Sequence, residues 1–77
     1  MYSSDTNLSQ LKPDILARII AIGGGHGARQ KLSLMGISEG SVVRVISNGH
    51  GPVTIEVDRN TVSIGRGMAQ KIQVSMM

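Results

Sequence analysis

This sequence predicts a small, mainly β barrel, and three observations predict it. Between Gly40 and Val57, two alternating runs flank a dense turn signal, Asn48-Gly49-His50-Gly51-Pro52. Val43 and Val45 share one side of the first run, and Val53, Ile55 and Val57 share one side of the second, as period-two strands require. Three more short β-type runs occur, at Ile15–Ile22, Thr61–Ile64 and Lys71–Ser75, each bounded by turn residues. Finally, the chain has 77 residues, too few to fill two sheets with five such strands. Curling into one partly open barrel leaves fewer bare edges. The expected architecture is an SH3-like barrel of five strands, with one short helix between strands 1 and 2. An OB-type barrel is the second choice.

In chain order, Met1–Asn7 is small and polar and reads as a loose N-terminal arm to a single domain spanning 1–77. Leu8 and Leu11, three apart, suit one helical turn docked on the body, with Thr6 or Asn7 as its cap. Lys12-Pro13-Asp14 ends that turn. Ile15–Ile22 carries apolar residues on both faces, so it is central or bends around a corner. Four glycines within Gly23–Gly27 read as a flexible or tightly turning loop. Ala28–Met35 reads as the helix, because Ala28, Leu32 and Met35 recur on one face, and Gly36 is its left-handed stop. Ile37 then returns to the core, and Ser38-Glu39-Gly40 leads into the hairpin. Asp58-Arg59-Asn60 reads as a tight turn. Gly65–Gln70 reads as one helical turn, with Met68 and Ala69 closing an end of the core.

Composition narrows the function. With no cysteine, there is neither a disulfide nor a thiolate metal site. The single aromatic residue is Tyr2, so the core must be aliphatic. The net charge of +3 is spread along the chain and reads as solubility rather than a nucleic-acid groove. No apolar run approaches the roughly 20 residues of a membrane helix, and the start lacks signal-peptide character, so a soluble, cytoplasmic protein is expected.

Ordered segments of the chain resemble a known family. They are Leu11-x-Pro13, Ala17-x-Ile19-x-x-Ile22, Lys31-Leu32-x-x-Met35-Gly36-Ile37-x-x-Gly40, Gly51-Pro52-Val53-x-Ile55-x-Val57 and Ile64-Gly65-x-x-Met68-Ala69-x-x-Ile72-x-Val74. No one segment is specific, but the ordered set, from Leu11 to Val74, resembles the FeoA family of bacterial ferrous iron uptake. The resemblance implies an SH3-like fold, no catalysis, and an accessory role with the membrane GTPase transporter FeoB. The same barrel is similar to the C-terminal domain of iron-dependent repressors, whose helix-turn-helix this chain lacks. There are departures from the family pattern: Asp14 stands at a usual glycine, Glu39 at a usual proline, and Asn60 where glycine is common.

His26 and His50 are the only histidines, and neither shares a spaced motif with a second ligand, so no metal site and no cofactor are expected. They are the only candidates should this chain itself sense or bind the family's transition metal. The glycine run lacks the lysine placement of a phosphate loop. Single-strand nucleic-acid binding, the alternative from another class, wants aromatic stacking platforms that this chain lacks. Protein contact remains. Leu34 points away from the Ala28–Leu32–Met35 face, and with Met35, Ile37, Arg29 and Lys31 it would form an apolar-basic patch. The opposing reading packs Leu34 against the hairpin, and both stay open. The loop tip, with Asn48 and His50, is the second candidate surface. A homo-oligomer is left open.

Overall fold

The computed structural model describes residues 5–77. It is mainly β, as expected, with the strands in one antiparallel sheet. The strands are β1 (Asp5–Asn7), β2 (Leu16–Ile22), β3 (Val42–Ser47), β4 (Val53–Val57), β5 (Asn60–Ile64) and β6 (Ile72–Met76). Helix α1 (Gly25–Ser33) joins β2 to β3, and the single-turn helix α2 (Arg66–Ala69) joins β5 to β6. A 3₁₀ turn at Leu8–Gln10 follows β1, with the Asn7 side chain accepting from the Ser9 N–H as its cap. The sheet order is β1-β6-β2-β3-β4-β5.

The strand missing from the sequence reading is β1. The expected loose arm ran to Asn7, but Asp5–Asn7 pairs with Gln73–Ser75 of β6. A three-residue polar strand carries no alternation to be read. The rest of that arm, Met1–Ser4, lies outside the described residues.

The core is aliphatic throughout. Val43, Val45, Val53, Ile55 and Val57 of the central hairpin are buried, and Ala17, Ile19, Ile22, Ile64, Ile72 and Val74 meet them from the other strands. The double-faced pattern of β2 has a definite cause. This strand is central, and its register against β6 shifts between Ile19 and Ala21. The bulge changes the face of the following residues, so both Ile19 and Ile22 are buried while Ile20 faces out. Leu8 and Leu11 dock beneath this core from the 3₁₀ turn.

Helix α1 begins three residues earlier than its apolar spacing indicates. The glycine run is no flexible linker. Gly24 and Gly25 have φ of 89° and 82°, and a Cβ on Gly24 would sit 3.1 Å from that of Ala28. Left-handed backbone here turns the chain directly into the helix. At the other end, the Ile37 N–H donates to the Leu32 carbonyl and the Gly36 N–H to Ser33, with Gly36 at φ 80°. That is the Schellman pattern, and the accompanying apolar contact joins Leu32 and Ile37, both buried.

At the β4–β5 turn, left-handed geometry falls on Asp58 (φ 50°) and Arg59 (φ 68°), not on Asn60. Asn60 instead pairs with Val57 and opens β5. Two consecutive positive φ values between paired strands make the type I′ hairpin turn, whose second position favours glycine. Arg59→Gly is therefore expected to stabilise the protein by about 0.5–1 kcal/mol, the αL penalty relieved less the chain entropy glycine adds. Calorimetry should read this as a Tm rise of roughly 3–6 °C. Asp14 also has left-handed backbone, at φ 72°, and its N–H donates to the Val45 carbonyl at 2.7 Å.

Candidate functional site

The expected helix patch is only partly a surface. Leu34 follows the last turn of α1 and is 85% exposed, which decides between the two readings left open for it. Arg29 and Lys31 are exposed beside it. The Arg29 guanidinium bonds the Glu39 carboxylate at 3.1 Å, tying the helix to the turn that leads into β3. With both side chains solvated, this pair adds under about 1 kcal/mol and orients rather than stabilises. Met35 is half-buried against the core. Ile37 is fully buried and contributes nothing to the patch, because the Schellman turn carries it down against Leu32.

The loop tip also divides. His50 is exposed. The Asn48 side chain is tied into the fold. Its amide NH₂ donates to the Ser9 carbonyl at 2.9 Å and the Leu11 carbonyl at 2.6 Å, and its Oδ1 accepts from the Arg66 guanidinium at 2.6 Å. Arg66 also donates to the Gly49 carbonyl at 2.6 Å. The N-terminal turn, the hairpin loop and α2 thereby share one polar knot. Its amide orientation is unambiguous, since arginine has no acceptor to offer and the carbonyls no donor.

His26, in the first turn of α1, is exposed like His50. Among the described residues, no three His, Cys, Asp or Glu side chains come together to hold a metal ion. Nor is any helix long and apolar enough to cross a membrane.

Two surface features escaped the sequence reading. One is a groove of about 170 Å³ between α1 and the β5–α2 corner, floored by Leu32 and Ile64, walled by Met35 and Met68, and rimmed by Lys31 and Ser63. The other lies on the outer sheet face, where Leu16 and Val42 are 48% and 41% exposed beside the Arg44–Glu56 ion pair. A signal for the second was present, since apolar residues at outward strand positions break the alternation. The groove had none, because it joins residues from three separate segments.

Against known proteins, the FeoA domain model matches residues 6–76. The chain belongs to the FeoA domain family. Over 53 residues it is 49% identical to the "Putative Fe(2+) transport protein A" of Methanocaldococcus jannaschii. That stretch covers 69% of this chain and 65% of that relative, so slightly under two thirds of the relative's length is spanned. A crystal structure of the iron uptake regulatory protein FeoA superposes with a TM-score of 0.88 at 34% identity, covering 95% of this chain and 97% of that one. The crystal structure of T. acidophilum IdeR superposes at a TM-score of 0.87 and 26% identity, with all of this chain matched to 36% of that longer protein. Its likeness is to one SH3-like portion. The sheet and α1 thus follow the fold of that FeoA structure.

Proposed function

We propose that this protein is a non-catalytic accessory protein of ferrous iron uptake that binds the cytoplasmic region of the membrane GTPase transporter FeoB and regulates or assembles it. Membership of the FeoA family supports the iron-uptake setting. The observation that carries the binding reading is Leu34, a large apolar side chain left 85% exposed. Its backbone is held by the Schellman turn at its side. An apolar anchor on a rigid element loses little entropy on binding, which is how a few residues come to dominate an interface. Arg29 and Lys31 would supply a basic rim.

A pull-down with full-length FeoB and with its soluble GTPase domain tests this in each nucleotide state. Leu34→Asp is expected to weaken capture by roughly tenfold or more, as removal of an interface anchor does. Being on the surface, it should leave stability within about 0.5 kcal/mol. Binding to neither form, or capture unchanged by Leu34→Asp, would overturn the proposal.

A further inference from the structure

Among the described residues, strand β5 has a neighbour on one side only, β4. The pair Val57–Asn60 closes a two-residue turn, so it is a bonded pair, and Ile55–Val62 and Val53–Ile64 repeat it along the ladder. Thr61 and Ser63 therefore turn their N–H and C=O groups away from β4. Among the described residues, no main-chain hydrogen bond from outside the hairpin reaches them. Proteins usually defend such an edge with proline, charge, a bulge or brevity. Asn60-Thr61-Val62-Ser63-Ile64 has no proline and no charge, and its five pairs run without a register shift. The opposite edge, β1, is three residues long.

The bare edge adjoins the groove. Ser63 and Ile64 belong to both. A strand laid against β5 would bond Thr61 and Ser63 and place every second side chain on the inward side, beside Val62 and Ile64. The groove begins there, and its two methionine walls can repack around different apolar side chains. Among the described residues, Lys31 is the one charge lining the groove, and no acidic side chain lines it. Glu39, in the turn that follows α1, is engaged by Arg29. The matching occupant carries negative charge. A second copy of this chain fits poorly, because its own β5 brings no acidic residue and both copies carry net positive charge.

We propose that the β5 edge accepts an extended, acidic-apolar segment of a partner protein by strand addition, with an apolar side chain in the Leu32–Met35–Ile64–Met68 groove and a carboxylate on Lys31. Main-chain bonds supply affinity in this mode and the groove supplies selectivity. Leu34 does not line this groove, so Leu34→Asp separates the two sites although Lys31 and Met35 border both.

A displayed library of random dodecapeptides, selected on the full chain, tests it. Enriched sequences should alternate apolar and polar residues and carry an acidic residue. Ser63→Pro keeps the ladder to β4, since the lost N–H faces away from it. It should weaken a labelled selected peptide at least about tenfold, the loss expected when strand pairing is blocked. Lys31→Glu should weaken it by a similar factor, and Leu34→Asp should leave it unchanged. Should Ser63→Pro fail to fold, amide exchange in the unmodified protein decides instead, with the Thr61 and Ser63 N–H groups slowed by saturating peptide. An enriched set without alternation or acids, affinity indifferent to Ser63→Pro, unslowed exchange at Thr61 and Ser63, or a β5-mediated dimer that excludes the peptide would each overturn the proposal.

Discussion

Ile55→Ala is expected to remove on the order of 3–4 kcal/mol of stability, within the range for deleting a fully buried isoleucine side chain. Ile55 sits in the middle of β4, is wholly buried, and pairs with Val45 on one side and Val62 on the other. Both neighbouring strands are fixed by their own ladders, so the space left behind cannot collapse, and the cavity adds to the lost transfer energy. Domains of this kind are typically stable by only about 5–15 kcal/mol, so the change consumes a large part of the total. Thermal unfolding should show Tm lowered by on the order of 20 °C. Ile20→Ala on the outer face of β2 is the control, expected to shift stability by no more than about 0.5 kcal/mol. Equal losses from the two substitutions would contradict the inward–outward assignment of the strands.

Asn48→Ala is expected to cost roughly 2–3 kcal/mol, although it removes few apolar atoms. Three hydrogen bonds go at once, and the cost lies chiefly in what they leave behind. The Leu11 carbonyl belongs to a buried residue and loses its amide donor, while Arg66 loses one acceptor. Asn48→Asp separates these contributions. The carboxylate would strengthen the contact to Arg66 but set an anion against the Ser9 and Leu11 carbonyl oxygens. Urea unfolding at low and high salt should therefore find the aspartate variant destabilised, and more so as salt screens its remaining ion pair. An aspartate variant as stable as the unsubstituted protein would show that Arg66, not the two carbonyls, is the partner that matters.

These two residues also mark how far the sequence could be read. Ile55 was assigned inward by alternation alone, and the same rule placed Val43, Val45, Val53, Val57, Ile64, Ile72 and Val74 in the core. Asn48 has a structural role that its sequence context does not reveal. A polar residue at a loop tip looks like a contact residue unless its partners are known, and these lie 39 and 37 positions away along the chain. Ile37 reads from sequence both as a core residue and as part of the patch, and the turn at Gly36 permits only the first.

By itself, the sequence determined the β class, the central hairpin, the Gly36 stop and the ordered segments that resemble the FeoA family. All of these are local, set by side-chain period, by turn chemistry or by spacing within a few residues. Only the tertiary structure decided that Asp5–Asn7 is a sixth strand, that α1 starts at Gly25, that Asn48 is a staple, and that Leu34 stands exposed while a groove opens beside the free edge of β5. Each depends on what distant segments place next to a residue, and no local pattern encodes that.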